Sequence, residues 1–433
     1  MKPRRISAAR AGVPACTLAW LLTTALAPAS AAAAEQPTTG SALSVLPPEA
    51  SVRRVLENLP QFRIGTAMMA LASAEQAKLQ AGPYEWTLRS SLNARSVAGG
   101  ERYAEQDLAL ERTLRWFGKA EQDRALGDQG RAVARARHED LWHEAGRTLM
   151  KDWFDALRDL VALERLREQI TVARQLRSIA ERRVHAGDGA ALEQQQAATE
   201  VLRTETLLLQ AQQRQEQSLG LLTQSYPGLP APLASDGPLV LPLPQADLQG
   251  AEYWYAKILS DNHELELAQG EADLLALRAK RLAADRMPDP TIALRAARER
   301  AGEERLIGVT VSIPIPGAGR SADASAAAIR ARAAGEQLLQ ARTRVQSMAR
   351  RAVLDCTRSY QIWHSLAQID SQSAQQAQLL LRAYQAGEGT LAEALAARRR
   401  ALDAAMQTES AQIDALAAFA RVRLDAHAIW SID

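Results

Sequence analysis

The fold is decided by a stretch that occurs twice, as RRVHAGDG at residues 182–189 and as RAYQAGEG at residues 382–389. Several positions recur at a constant offset of 200 residues, among them Gly187 and Gly387, Gly189 and Gly389, Glu193 and Glu393. Each copy lies between long stretches that are rich in Ala, Leu, Gln, Arg and Glu and contain no proline, a composition typical of helices. We therefore predict that each copy is the turn of a long helical hairpin.

The repeat extends beyond the turns. In each half, the sequence predicts a helix, two strands, a long helix that leads into the turn, and a returning helix. The second half begins with a predicted helix from Ala251 to Arg286, ended by proline at 288 and 290. We predict a first structural repeat at residues 35–224, a proline-rich linker at 225–250, and a second repeat at 251–433, because a long internal repeat indicates a duplicated architecture.

Strands are predicted from apolar residues that alternate with polar ones, a period of two. The clearest run is Ile307 to Ile315, and the others are less regular. Each predicted strand is about ten residues long, the length of a tilted strand that crosses a bilayer. The candidate membrane-strand residues are Tyr84, Trp86, Leu88, Leu108, Leu110, Ile292, Leu294, Ile307, Val309, Val311, Ile313 and Ile315.

The first 34 residues have the pattern of a secretory signal peptide. Four basic residues precede a short apolar stretch and several alanines, and this stretch is shorter than a spanning helix requires. Most of the stretch follows Cys16, which argues against a lipidated cysteine. After removal of this segment, 48 basic and 50 acidic residues remain, so the net charge of +2 becomes −2. No basic tail indicates a nucleic-acid partner.

We find no pattern typical of an enzyme. The sequence has no Gly-rich phosphate loop and no Gly-x-Ser-x-Gly motif, and its six histidines form no clear zinc constellation. We therefore predict no catalytic residues, no metal site and no cofactor.

The returning helices show a coiled-coil pattern and start at candidate caps. Two parallel seven-residue rows predict a packing seam: Leu395, Leu402 and Leu416, and Met406, Ile413 and Ala420. Thr390 and Glu393 match a capping box, whereas the first turn has Ala190 in place of Thr390 and leaves Asp188 as its candidate cap. Asp188 and Glu388 have two interpretations, as solvated turn acids or as an acidic ring around a pore mouth.

The chain resembles the TolC-like outer-membrane efflux proteins of Gram-negative bacteria. The resemblance covers residues 43–430 and rests on the duplicated order of elements, on Pro288-Asp289-Pro290 before the third strand, and on VTVSIPI at residues 309–315 followed by Gly317 and Gly319. The sequence at 384–389 is similar to the family's hairpin tip.

This resemblance implies a mainly α fold with a small β part. Three subunits, with four strands each, would form a twelve-stranded barrel in the outer membrane above a periplasm-spanning helical tunnel. The family also implies a periplasmic adaptor and an inner-membrane pump as partners. The expected adaptor-docking tips are Arg182, Gly187, Asp188, Gly189, Glu193, Arg382, Gly387, Glu388, Gly389 and Glu393.

The expected function is a passive exit duct in a tripartite efflux system, with a weak indication of the heavy-metal branch of the resistance-nodulation-division partners. Two alternatives stay open: an outer-membrane duct for type I protein secretion, and a periplasmic coiled-coil structural or adaptor protein. The first strand pair contains four arginines, and some of them would have to face the lumen or the subunit interface, because arginine facing mid-bilayer lipid is costly: Arg89, Arg95, Arg112 and Arg115.

Overall fold

A computed structural model describes residues 40–232 and 240–432 of the chain. The predicted signal peptide, including Cys16, lies outside the described residues. Residues 233–239 of the proline-rich segment also lie outside them.

The first half consists of long helices and one strand pair. Its elements are α1 (Gly40–Leu43), α2 (Glu49–Asn58), α3 (Pro60–Ala81), β1 (Thr87–Ser96), β2 (Arg102–Thr113), α4 (Lys119–His185) and α5 (Ala191–Ser225). The break between α2 and α3 is explained by Pro60, which begins α3 at a position where its missing N–H costs no hydrogen bond.

The second half repeats this order of elements. Its elements are α6 (Ala251–Ser260), α7 (His263–Ala284), β3 (Thr291–Glu299), a 3₁₀ turn (Arg300–Gly302), β4 (Glu304–Ser312), α8 (Ala318–Gln385) and α9 (Leu391–Asp425). α4 and α8 have 67 and 68 residues, which corresponds to a length of about 100 Å each. The two predicted hairpins are thus confirmed as helical elements.

The prediction of one helix from Ala251 to Arg286 is wrong. The chain breaks between α6 and α7, where Asn262 adopts an extended conformation. Its side-chain oxygen accepts a hydrogen bond from the N–H of Leu265 at 2.9 Å. This cap satisfies an N–H at the start of α7 and so favours a new helix over continuation of α6.

The four strands form one antiparallel sheet in the order β1-β2-β3-β4. Leu88 pairs with Leu110, Leu110 with Leu294, and Leu294 with Val309. One row of side chains therefore runs straight across all four strands. Within the described residues, β1 and β4 each pair with a single strand, so the sheet has two open edges.

Two residues predicted for the first strand lie before it. β1 starts at Thr87, so Tyr84 and Trp86 belong to the segment that leads into the sheet. The Tyr84 hydroxyl donates a hydrogen bond to Asp289 at 2.7 Å, which holds this segment at the base of the sheet.

Two residues predicted for the fourth strand lie after it. β4 ends at Ser312, and Ile313 and Ile315 are exposed in the following segment. Pro314 and Pro316 have no N–H to donate to a neighbouring strand, so the ladder ends although the apolar alternation continues.

A buried ion pair joins the sheet to the long helices. The ammonium group of Lys119, at the first position of α4, lies 2.8 Å from Asp289 Oδ1 and 3.0 Å from Asp285, and it donates a hydrogen bond to the Met287 carbonyl. Asp289 also accepts from the N–H of Trp116 at 2.8 Å. Burial alone would raise the pKa of Asp289, but the hydrogen bonds from Lys119, Trp116 and Tyr84 lower it overall, which keeps the carboxylate charged.

The largest apolar core surrounds the middle of α4. Trp142 donates its indole N–H to the Trp430 carbonyl at 2.8 Å, and Trp153 donates to the Val45 carbonyl at 2.9 Å. Both ends of the described chain are therefore attached to α4. The predicted seam of α9 is confirmed, because Leu395, Ile413, Leu416 and Ala420 are buried and Leu402 and Met406 pack against a buried cluster. Among the described helices, none combines the length and apolar character needed to cross a membrane.

We expect replacement of Lys119 by alanine to lower the free energy of unfolding by about 3 to 5 kcal/mol, because the buried Asp289 would lose its counter-charge. Denaturant unfolding of the detergent-purified protein measures this change. The control is Lys151→Ala, which removes an exposed pair with Asp155 and should cost less than about 1 kcal/mol. Equal losses in the two variants would contradict a special role for Lys119.

Candidate functional site

The two hairpin turns have the same backbone hydrogen bonds. In the first turn, the N–H of Asp188 bonds the Arg183 carbonyl, and the N–H of Gly187 bonds the Val184 carbonyl. The second turn repeats both bonds between the corresponding residues. This is the Schellman pattern, which ends a helix with a left-handed residue. Gly187 and Gly387 are that residue, with φ of +77° and +82°.

The second glycine of the first turn is needed for space, whereas that of the second turn is less restricted. A side chain at Gly189 would place its Cβ 3.0 Å from the backbone nitrogen of Val184, which is too close for ordinary packing. At Gly389 the corresponding distance, to the nitrogen of Tyr384, is 3.4 Å. The first turn is therefore the tighter of the two.

The two returning helices start differently. Thr390 accepts a hydrogen bond from the Glu393 N–H, and the Glu393 carboxylate accepts from the Thr390 N–H and hydroxyl, so the predicted capping box is confirmed. These hydrogen bonds lower the pKa of Glu393. The predicted cap by Asp188 is wrong: α5 starts without a side-chain cap, and Asp188 lies 3.6 Å from the Arg183 guanidinium instead.

The two turns contact each other through Tyr384. Its ring is fully buried, and the Arg183 guanidinium lies 4.9 Å above the ring centre. The Tyr384 hydroxyl donates a hydrogen bond to Glu193 at 3.3 Å. Burial raises the pKa of Tyr384, and the nearby Glu193 carboxylate acts in the same direction, so the hydroxyl keeps its proton.

The sequence analysis missed Arg183. The 200-residue offset places Ala383 opposite Arg183 and Val184 opposite Tyr384 in the repeat. These differences between two otherwise similar copies were the available signal, because residues that pair across two packed copies must be complementary rather than identical.

The predicted docking residues separate into two groups. Glu193 and Glu393 are engaged within the tips. Arg182, Arg382 and Glu388 are exposed, and within residues 40–232 and 240–432 their side chains form no ion pair or hydrogen bond. We call these three residues the tip surface.

The sheet has one polar face and one face that is apolar over most of its length, with Gln106, Arg298 and Arg305 beside Leu92 at the end away from the helices. Paired residues of neighbouring strands share a face, so the apolar face contains Leu88, Leu92, Leu108, Leu110, Ile292, Leu294, Ile307, Val309 and Val311. These side chains are exposed in the single chain; Leu92 is 79% and Ile307 83% accessible. The predicted strand residues other than the four outside the strands thus form one continuous apolar surface.

Three of the four unfavourable arginines are placed away from this surface or paired. Arg89 lies on the polar face and pairs with Glu111 at 2.7 Å, and Arg95 lies 3.4 Å from Glu105 on the same face. Arg115 lies below the sheet, where it donates to the carbonyls of Leu79 and Gln80 at the end of α3.

Arg112 is the exception, on the apolar face at the base of the sheet. Its guanidinium lies 5.3 Å from the centre of the Trp86 ring, a cation–π contact. This position is at the edge of the apolar band, where the cost of a charge is smaller than in its centre.

The sequence prediction of no metal site is challenged by one cluster. Glu139, His263 and Glu266 bring three possible ligand atoms within 4.8 Å of one another. The rings of His143 and His427 lie nearby, with centroids 6.2 Å and 4.5 Å from that of His263.

Comparison with solved structures finds outer-membrane channels and other outer-membrane proteins. The Campylobacter jejuni CmeC outer membrane channel superposes with a TM-score of 0.72 at 13% identity, over 96% of each chain. VceC, an outer membrane protein of Vibrio cholerae, gives 0.69 at 16% identity, over 87% of this chain and 95% of that one. The Neisseria gonorrhoeae MtrE outer membrane channel gives 0.65 at 15% identity, over 87% and 88%.

The chain has the fold of these outer-membrane proteins. The mainly α fold with a small β part that the resemblance implied is therefore confirmed by the long helices and the four-stranded sheet. No protein-family model and no curated protein sequence matches the chain.

We expect Tyr384→Ala to loosen both tips of this channel fold by about 3 to 5 kcal/mol, because it leaves a cavity between them. Tyr384→Phe should cost about 1 kcal/mol or less, since it removes only the hydroxyl. Hydrogen exchange of amides at the ends of α4 and α8 measures the local opening. Unchanged exchange in the alanine variant would contradict this role of Tyr384.

Proposed function

We propose that the chain is the outer-membrane channel of a tripartite efflux system. It acts as a passive exit duct for metal ions or small toxic compounds, which an inner-membrane pump delivers through a periplasmic adaptor. One observation carries this proposal: a four-stranded sheet with an exposed apolar face and an ion-paired polar face stands at the end of helices about 100 Å long.

The two faces of the sheet suit a barrel wall. The apolar face contacts lipid, and the polar face, with Arg89–Glu111 and Arg295–Asp107 among its pairs, lines a water-filled lumen. A sheet with open edges cannot remain in a bilayer, because the unpaired N–H and C=O groups of β1 and β4 have no water to bond. Three copies would close a barrel of twelve strands, an even number typical of outer-membrane barrels.

The helices support the same assembly. α5 and α8 expose rows of large apolar side chains in the single chain: Leu202, Leu209 and Leu221 on α5, and Ile362, Ile369 and Leu379 on α8. α8 packs against α9, and α5 packs mainly against α4, which leaves the outer sides of α5 and α8 for neighbouring subunits. In a closed homotrimer these rows would be covered, and the helices would form the periplasmic tunnel.

The tip surface is the proposed adaptor-docking site. It lies at the end of the hairpins that is far from the sheet. Its side chains are exposed and form no ion pair or hydrogen bond within the described chain. Two arginines and one glutamate give it a local excess of positive charge, which suits an acidic or hydrogen-bond-accepting partner surface.

We expect the wild-type protein in the outer-membrane fraction, cross-linked as a trimer. Val309→Arg should reduce the amount of assembled trimer, because an arginine facing mid-bilayer lipid costs about 2 to 4 kcal/mol. Thr310→Arg is the matched control, since the neighbouring position faces the polar side of the same strand. A soluble periplasmic monomer would refute the channel, and equal losses in both variants would refute the assignment of faces.

We expect Arg182→Glu combined with Arg382→Glu to reduce adaptor cross-linking and resistance to exported compounds, while the trimer still reaches the outer membrane. The control is Arg358→Glu, an exposed position on α8 about 40 Å from the tip by helix rise. Testing a deletion strain against metals, drugs and dyes identifies the compounds to use. Undiminished adaptor cross-linking in the double variant would exclude the tip arginines as docking residues.

A further inference from the structure

Three histidines that are far apart in the sequence meet beside the start of α7. His143 comes from the middle of α4, His263 is the first residue of α7, and His427 follows α9. The ring centroids of His143 and His427 are 5.0 Å apart, and those of His263 and His427 are 4.5 Å apart. Such a cluster brings together the side chains that most often bind transition metals.

His263 has a buried nitrogen that no hydrogen bond satisfies. Its Nδ1 is shielded from solvent and has no hydrogen-bond partner among the described residues. The nearest acceptors are Glu139 Oε2 at 3.7 Å and Glu266 Oε2 at 3.8 Å. Both distances exceed those of hydrogen bonds. A buried polar atom without a partner destabilises the fold. A bound ligand between these three groups would satisfy His263 Nδ1.

The spacing of the three atoms suits an ion between them. Ligands at about 2.0 to 2.2 Å from a tetrahedral zinc ion stand about 3.3 to 3.6 Å from one another. The observed separations from His263 Nδ1 are only slightly longer, and all three atoms lie within 4.8 Å. The two separations from His263 would have to shorten by a few tenths of an ångström, and the two carboxylates would turn towards the ion from within 4.8 Å of each other.

The charge of the site also suits a divalent cation. Two carboxylates and one imidazole can neutralise a doubly charged ion. Lys257, which lines the same cavity, is paired with Asp261 at 2.6 Å. The cavity has a volume of about 820 Å³ and offers a route for the ion and for water as a further ligand.

We propose that Glu139, His263 and Glu266 bind a first-row divalent transition-metal ion of the zinc type. The ion would join the middle of α4 to the start of α7. The ring of His427 lies against that of His263 at a tilt of 33°, so the segment after α9 would be held at the same point. This site lies outside the tip surface and the sheet, and its test does not depend on which compound the channel exports.

Zinc titration of the full-length trimer tests the proposal. The protein is purified in detergent without an affinity tag and treated with a chelator before calorimetric titration with Zn²⁺. We expect one Zn²⁺ per chain. Glu139→Gln, Glu266→Gln and His263→Gln should each weaken binding at least tenfold, because each replaces a carboxylate or an imidazole by a neutral amide, a poorer ligand for zinc, and largely preserves the side chain's size.

Glu264→Gln is the matched control. Glu264 lies on the same turn of α7, but its carboxylate is engaged with Arg344 on α8, so its loss should change zinc affinity less than twofold. Circular dichroism and the elution volume of the trimer establish that each variant is folded. Absence of stoichiometric binding in the wild-type protein, or equal affinity in all variants, would overturn the proposal.

X-ray absorption at the zinc edge gives a second measurement that does not rely on variants. We expect nitrogen and oxygen ligands at about 2.0 to 2.2 Å with the scattering pattern of an imidazole ring. A spectrum of hydrated zinc without imidazole would overturn the proposal.

Discussion

The buried ion pair of Lys119 and Asp289 fixes the junction between the four-stranded sheet and the long helices. Asp289 receives hydrogen bonds from Tyr84 before β1, from the backbone of Trp116 after β2, and from Lys119 at the start of α4. Asp289 itself precedes β3, so the carboxylate joins both halves of the repeat at one point. A buried charge is tolerated only when it is paired and hydrogen-bonded, and this requirement positions the base of each strand pair relative to the long helices.

In the sheet itself, a second constraint is that the backbone N–H and C=O groups and the charged side chains need partners. The backbone groups of β2 and β3 are paired on both sides, whereas β1 and β4 each retain one open edge in the described chain. The side chains are sorted in the same way: charged residues of the polar face pair across strands, as Arg89 does with Glu111, while Val309 and its row remain exposed. A single chain therefore pairs several charges of its polar face but leaves two strand edges open and the apolar face exposed. In the proposed assembly, neighbouring copies would pair the edges and lipid would cover the apolar face.

Local sequence patterns predicted the elements well where one physical rule dominated. The glycine turns, the capping box of Thr390 and the strand alternation each depend on nearby residues. Predictions failed where a competing rule acted: Pro314 ended β4 although the alternation of Ile313 and Ile315 continued, and the Asn262 cap started a new helix within an apparently continuous one. The cluster around His263 could not be predicted, because its members lie on elements separated by more than 100 residues and only the packing of α4, α7 and the segment after α9 unites them.

The contact between the two hairpin turns explains why its key residues, Arg183 and Tyr384, are positions at which the two copies of the repeat differ. Two similar hairpins that pack side by side cannot use the same residue on both sides of their contact, since two arginines would repel and two tyrosines would compete for one buried space. The chain places Arg183 in one copy and Tyr384 in the other, with Ala383 and Val184 at the equivalent positions. Gly187 and Gly387, which both copies have, form the turns. Arg183 and Tyr384, which differ between the copies, fix how the two turns lie against each other. Arg182 and Arg382, which the repeat does preserve, stay exposed, whereas the differing residues Arg183 and Tyr384 form the contact within the chain.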